Sequence, residues 1–587
     1  MMETWNLKDL HDEKDTEGKI EKIKAKAEEF KKCKERLKEN MRPEELLDMI
    51  QLNEEIGSEI QKLNGYYELK ATENMSDTET LAKIAFMSQL ATEISNEMIF
   101  FTLWFIGLDD KHAQRFIDSK ELSDYKYYLE SLRREKPYTK TEEIEKILSL
   151  KNITGANAYN VLYEVFTNSF KYDFDGKKGI TKEELSAYFR DKDPKKRKEA
   201  YEEIFRKYEE NKPVLTEIYR DIVLDWYNEG IKIRNYSSPI SIRNISNDVP
   251  DNAVEALLNT IRKNAKLFQE YFRLKYELNK KNGEDYEYSR YHAYAPYNAG
   301  IEEKYGYEKT KKLVLEALRE FDPRFEKAAL EIFSKKHVHS HPKPNKRSGA
   351  FCYGITNTDT PYIMLNHTDK LRDVFTMIHE LGHGIHDIFA GKQPNLLYHP
   401  CLPMAETASV FGEMILAEKM LRESTSTKEK MAIIMNLLDD DYATLTRQAY
   451  FVLFEKAAHD GMKEAATQEE LDSEYYALLK EQFGDMEIPR CFRQEWNYIP
   501  HIHATPFYCY AYAWGKLLVL ALYKLYREDG DGFKEKYIEL LSTGGALSPK
   551  EMLAKLGINP EDEGFWQKGM DIIQEQIDEL KELSKKT

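Results

Sequence analysis

The chain has 587 residues, 41% hydrophobic and 32% charged, a composition that suits a soluble globular protein with much surface helix and more than one core. Its 103 acidic against 86 basic side chains leave a net charge of -17, which repels a phosphate backbone at long range and excludes a general nucleic-acid binder. No run of about eighteen apolar residues occurs to span a membrane, and the start, MMETWNLKDLHDEKDTEG, lacks the basic and apolar regions of a secretory signal. With Cys33, Cys352, Cys401, Cys491 and Cys509 odd in number and scattered, the expectation is reduced thiols in a cytoplasmic protein.

From about Thr16 to Leu108 the periodicity predicts three long helices, an N-terminal bundle over residues 1–110 that packs on the remainder, 111–587. The first, KIEKIKAKAEEFKKCKERLKEN, reads as a solvated face laced by i,i+4 ion pairs; the third, ETLAKIAFMSQLATEISNEMIFFTLWFIGL, is apolar enough to be largely buried. Helices separated by polar breaks continue to about residue 340. One break, Asp173 to Glu184, resembles a calcium loop, but Lys177 and Lys178 occupy positions that want an oxygen ligand and a glycine. A turn leading to a helix capped by Thr181 and Glu184 accounts for it better. Between about 348 and 366, SGAFCYGI and PYIMLN are short, rich in β-formers and bounded by turns, so a pair of strands is expected.

The stretch Thr368 to Gly391 reads as one amphipathic helix, with Thr368 as its cap and Gly391 as its end. Within it lies His379-Glu380-Leu381-Gly382-His383. Imidazoles at i and i+4 lie one above the other on a helix face and both can reach one Zn²⁺, with Glu380 beside them to take a proton from water. Gly382 and Gly384 each cost about 1 kcal/mol relative to alanine inside a helix, which makes sense if something approaches the backbone closely. A catalytic zinc wants a third protein ligand and an open position. His386 and Phe389 exclude the metzincin pattern, and Cys401, Leu402 and Pro403 stand where a glutamate eighteen to twenty residues after His383 would be needed. The first glutamate beyond the helix is Glu406, in MAETASVFGEMILAEKML, and Glu413 follows on the same helical face, able to accept the free N–H of a ligand histidine. His386 shares the face of the other two histidines, but a fourth protein ligand would close the site, so a packing or hydrogen-bonding role is expected. His459 has no assigned role.

HELGHGIH followed by AETASVFGE resembles the oligoendopeptidase F branch of the thimet oligopeptidase family of zinc peptidases. RSGAFCYG, YIMLN, IPHIHATPFYCYAYAWG, LLSTGGALSPKEML and YDFDGKKGITKEELSAYFRDKDPKKRKEA are similar to family segments and stand in the same order, so the likeness covers most of the chain from about residue 110 and, more loosely, the N-terminal helices. Where the family often has aspartate before its Y-x-P segment, this chain has His292. The resemblance implies one Zn²⁺ per chain held by His379, His383 and Glu406, with Glu380 as general base. It also implies a mainly α, multi-helical, clam-like fold with a small β-sheet beside the motif helix. A late histidine and tyrosine would face the scissile carbonyl. The best matches are His501, over His503, and Tyr512, over Tyr508 and Tyr510.

The expected activity is hydrolysis of internal bonds in short, unstructured oligopeptides laid extended against the GAFCYG strand. A zinc carboxypeptidase is the first alternative; it would need a cation for the terminal carboxylate, and Arg347, Arg490 and Arg493 are candidates. A helical peptide-binding protein without turnover is the second.

Overall fold

The computed structural model describes residues 3–297 and 304–586. It is mainly α, with five short strands among the described residues. The chain packs into two units, each assembled from separate stretches: Met1–Thr139, Glu303–Lys419 and Asp529–Leu556 in the first, and Lys140–Glu302, Met420–Glu528 and Gly557–Thr587 in the second.

The first unit opens with the three predicted helices, α1 (Thr16–Lys32), α2 (Pro43–Glu73) and α3 (Thr78–Gly107). Pro43 starts α2, where its missing N–H costs nothing, and Asp77 caps α3 by accepting from the amides of Glu79 and Thr80. The bundle core is aromatic: Phe30 lies 5.5 Å from Phe100 and 5.7 Å from Phe101, ring to ring. The charges of α1 differ from the expectation. Its internal pairs are i,i+3, Lys24 with Glu21 and Lys31 with Glu28, while Lys26 reaches Glu55 of α2 and Lys31 reaches Glu97 of α3. Nor is α3 buried all round; Leu81, Phe86 and Ile99 are exposed, because only one stripe of the helix meets α1 and α2.

That core runs on through Ile355, Tyr362 and Met364 into a three-stranded sheet. The two expected strands, β4 (Phe351–Tyr353) and β5 (Tyr362–Met364), pair antiparallel, and a third not foreseen, β3 (Val338–His339), pairs parallel to β5. Two residues are too few for an alternation pattern, so β3 left no trace in the sequence. The order β3-β5-β4 buries β5 and leaves β4 at an edge. The motif helix, α4 below (Leu371–Ala390), follows the sheet. It begins three residues later than its expected cap, since Asp369 has a φ of 63° and breaks the turn. The capping is inverted: Asp373 Oδ2 accepts from the Thr368 amide at 2.6 Å, the Thr368 hydroxyl at 3.0 Å and the Lys370 amide at 3.0 Å.

In the second unit the Asp173–Glu184 break is a hairpin, Tyr172–Phe174 (β1) with Lys177–Ile180 (β2), turning through Asp175 and Gly176 with φ of 50° and 75°. Thr181 and Glu184 form the expected capping box on the helix that follows, and Asp175 pairs with Lys196 at 2.7 Å. The unit is built on long helices, among them Pro194–Tyr227, Arg447–Lys463, Tyr510–Asp529 and Glu563–Ser584. In Tyr510–Asp529 the stretch from Ala513 to Tyr523 is buried on every side. Its one charge in that stretch, Lys516, is neutralised by Asp440 at 2.9 Å and Asp441 at 3.0 Å.

Asp373→Ala removes three hydrogen bonds from the start of the motif helix. We expect a loss of about 1 kcal/mol in denaturant-induced unfolding, with the midpoint falling and the slope unchanged.

Candidate metal centre

The motif helix α4 packs against a second helix, Thr407–Glu423 (α5), at a distance that side chains would forbid. A Cβ on Gly382 would lie 2.5 Å from Ser409 Cα and 2.6 Å from the Ala408 carbonyl oxygen, and one on Gly412 would lie 3.1 Å from Ile378 Cγ1 and 3.3 Å from the Ile378 carbonyl oxygen. The two glycines, one on each helix, let backbone rest on backbone. A Cβ on Gly384 would lie 2.6 Å from Ile332 Cδ1 and 3.6 Å from Cys352 Sγ.

The close crossing brings Glu406, at the start of α5, over the two motif histidines. Glu406 Oε2 is 3.4 Å from His379 Nε2 and 3.4 Å from His383 Nε2, and the two Nε2 atoms are 3.3 Å apart. Three ligand atoms at the corners of a near-equilateral triangle match a tetrahedral zinc, whose bond lengths near 2.0–2.1 Å put its ligands roughly 3.3 Å apart. Each corner is held from behind. His379 Nδ1–H donates to Glu413 Oε1 at 2.7 Å, the Ala405 carbonyl stands beside the His383 ring, and the Ser409 hydroxyl donates to Glu406 Oε2 at 2.7 Å. Glu413 thus sits where the helical face predicted. Ser409 and Ala405 were not foreseen; the three-residue spacing from Glu406 to Ser409 is the signal that could have found the first.

The charges are arranged with the same economy of space. Burial works against a charged His379, yet the Glu413 carboxylate on its Nδ1, with Glu406 and Glu380 nearby, raises it to about 10. For His383 burial wins, helped by His379, and its basicity falls despite Glu406. Glu380 is buried, and burial pushes its carboxyl up to about 7, with Glu406 and Glu413 adding to the rise and His379 and the backbone N–H of Cys352 opposing it. Cys352 is the middle residue of β4, so the sheet edge touches Glu380 directly. His386 is buried, burial pushes it down to about 3, and its Nε2 has no hydrogen-bond partner among the described residues. It is not among the groups whose ligand atoms converge, which are His379, His383 and Glu406.

His501, Tyr508 and Tyr512 belong to the second unit. There they form a ring cluster, with His501 5.9 Å from both tyrosines and the tyrosines 5.3 Å apart. The IPHIHATP segment contains a short helix, Pro500–Ala504. Its geometry separates the candidates. His503 is fully buried, stacked on Tyr163 at 4.0 Å with Nδ1 3.3 Å from the Ile499 carbonyl oxygen. Tyr510 is fully buried as well, its hydroxyl accepting from Asn247 Nδ2 at 2.8 Å. Both serve the core. His292 is buried too, its Nδ1 accepting from Arg197 Nε at 3.2 Å, and burial and that guanidinium push it down to about 3. A neutral imidazole thus accepts from a buried arginine.

The model of peptidase family M3 matches residues 187–572, and that of oligopeptidase F matches residues 104–172. The chain belongs to peptidase family M3. It is 29% identical over 591 residues to the oligoendopeptidase F homolog of Borreliella burgdorferi, covering 99% of this chain and 98% of that one. To the oligopeptidase PepF of Bacillus subtilis it is 25% identical, over 99% and 87% of the two chains. A crystal structure from Chlamydophila abortus, described as a candidate peptidase, superposes with a TM-score of 0.86 at 25% identity, covering 99% of this chain and 98% of that one. This M3 peptidase is therefore a metalloendopeptidase acting on peptides. No helix among its described residues is long and apolar enough to cross a membrane.

Gly382→Ala forces α4 and α5 apart against backbone atoms. We expect a destabilisation of about 1–3 kcal/mol and a metal affinity at least about tenfold weaker, measured by thermal melting and by competition with a chromophoric chelator.

Proposed function

We propose that this M3 peptidase is a zinc-dependent oligoendopeptidase that cleaves internal bonds of short, unstructured peptides. The observation that carries the reading is the convergence of His379 Nε2, His383 Nε2 and Glu406 Oε2 within 3.4 Å of one another, beside a buried Glu380. Two imidazoles and one carboxylate suit Zn²⁺ and leave a coordination position open. When bound, the ion supplies a Lewis acid for the scissile carbonyl and for the attacking water.

The chain's own groups do the rest. Glu413 holds the His379 imidazole by its N–H and the Ala405 carbonyl faces the His383 ring, so that each presents a lone pair to the centre. Glu380 takes a proton from the attacking water and returns it to the leaving amine. Its carboxyl, raised by burial to about 7, is matched to both halves of that task near neutral pH. Tyr512 and His501 donate to the oxyanion as charge develops on the carbonyl oxygen. The substrate backbone adds to the free edge of β4, which recognises an extended chain through its amides and carbonyls and so tolerates many side chains.

The carboxypeptidase alternative draws on one observation. Arg347 is exposed and lies 5.4 Å over the ring of Phe351 at the start of β4, where a terminal carboxylate could be held. Arg493 is engaged by Glu469 and Ser473.

The test uses an internally quenched peptide blocked at both ends, with wild type and Glu380→Gln, and zinc content measured in each. We expect the wild type to cut an internal bond, and the variant to keep its zinc while losing at least about 100-fold in kcat. Zinc-loaded wild type that trims only free C-termini would replace the reading by the carboxypeptidase one, and full activity in Glu380→Gln would remove the glutamate from the chemistry.

A further inference from the structure

The second unit holds a buried acid that none of this chemistry uses. Glu455 lies on the helix Arg447–Lys463 (α6) and is completely enclosed. Its Oε1 accepts one hydrogen bond, from the backbone N–H of Phe507 at 2.7 Å, and its Oε2 has no hydrogen-bond partner among the described residues. An enclosed carboxyl with so little compensation is costly; burial pushes Glu455 up to about 8, with the Phe507 N–H and the Arg243 guanidinium opposing the rise.

The residue it holds is strained. Phe507 has a φ of 59°, in the left-handed region that a bulky side chain adopts only at a cost. Such a conformation persists only where its surroundings fix it. One turn along α6, His459 packs its ring 4.6 Å from the Phe507 ring, so positions i and i+4 of a single helix grip both the amide and the side chain. Arg243 Nε donates to the Pro506 carbonyl at 3.1 Å, and Asn160 Nδ2 donates to the Ala504 carbonyl at 3.1 Å. Every tether falls between His501 and Tyr508.

We infer that Glu455 is a positioning residue for the oxyanion-stabilising side chains: by holding the left-handed turn at Phe507 it sets the orientation of Tyr508, Tyr512 and His501. The inference rests on the role assigned above to Tyr512 and His501. A turn held by one buried acceptor on a long helix presents its aromatic groups pre-organised, without rearrangement during reaction. It explains why the buried position carries an acid and not an apolar residue, and it gives His459 a task.

The experiment compares kcat and KM on the blocked, quenched peptide for Glu455→Ala, Glu455→Gln and Arg243→Ala, with metal content and circular dichroism recorded for each, and with Tyr512→Phe and His501→Ala alongside. We expect Glu455→Ala to lower kcat about 100-fold, the scale of a misplacement near 1 Å, with KM and metal content little changed. Glu455→Gln, whose amide oxygen still accepts from Phe507, should keep kcat within about fivefold, and Arg243→Ala, which removes a second tether of the same turn, should lower it about tenfold. If Glu455→Ala fails to fold, the other two variants decide: wild-type kcat in Arg243→Ala together with a large loss in Glu455→Gln overturns the inference. So does a folded Glu455→Ala with wild-type kcat. If Tyr512→Phe and His501→Ala are themselves fully active, the oxyanion assignment falls and takes this inference with it; if they are impaired while Glu455→Ala is not, only the positioning role falls.

Discussion

The contact of backbone on backbone at Gly382 and Gly412 is the constraint on which the metal centre depends. Two helices crossing with side chains between them stay about 8–10 Å apart. Here Ala408 and Ser409 rest where a Cβ of residue 382 would stand, and Ile378 rests where one of residue 412 would. The gain is reach. Glu406 has a short side chain and begins its helix, and only the close crossing lets its Oε2 meet both imidazoles at 3.4 Å. The glycines weaken each helix locally, and tertiary packing repays the loss.

Around that triangle the groups form a graded field. Glu413 lies behind His379, Ser409 behind Glu406 and the Ala405 carbonyl beside His383, so each corner of the triangle has a partner that orients it. Glu380 is different: it is the buried acid of the set, and the strand amide of Cys352 is its neighbour. The edge of the sheet is thereby joined to the acid. In the proposed reaction, the same strand that would align a peptide also touches the group that would move its proton, and helix α4 follows that sheet in the chain with Asp373 organising its start.

The second unit manages polar groups by other means. Its interior holds paired charges, Lys516 with Asp440 and Asp441, and Arg290 and Arg447 sharing Glu495, each set against opposite charge where burial would otherwise be prohibitive. His503 and Tyr510 are spent on the core, and His501, Tyr508 and Tyr512 remain as a cluster of rings on a turn with one strained residue. Strain of that kind is paid for by the elements that hold it, here α6 and the Arg243 side chain.

Much of this was legible in the chain. The spacing of His379 and His383 places them on one helical face whatever surrounds them, because the 3.6-residue period is a property of the backbone. Apolar periodicity likewise marked α1, α2, α3 and the motif helix, and the Thr181 and Glu184 capping box replaced a calcium loop on local chemistry alone. Local rules also placed Glu413 on the face of Glu406. What they left open were matters of distance along the chain. The two-residue strand β3 is defined only by its partner, the start of α4 by an Asp369 turn that no propensity dictates, and the exposed side of α3 by where its neighbours end. His501 and His503 are two residues apart in similar surroundings, and nothing in their sequence tells which enters the core; Tyr163, 338 residues before His501, decides it by stacking on His503. The sequence by itself determined the helical spacing of the two histidines, through short-range geometry, and the family, through the order of its motifs. Only tertiary structure decided how near Glu406 comes to the histidines and which late aromatic groups stay out of the core, because both depend on packing between segments that the chain brings together from far apart.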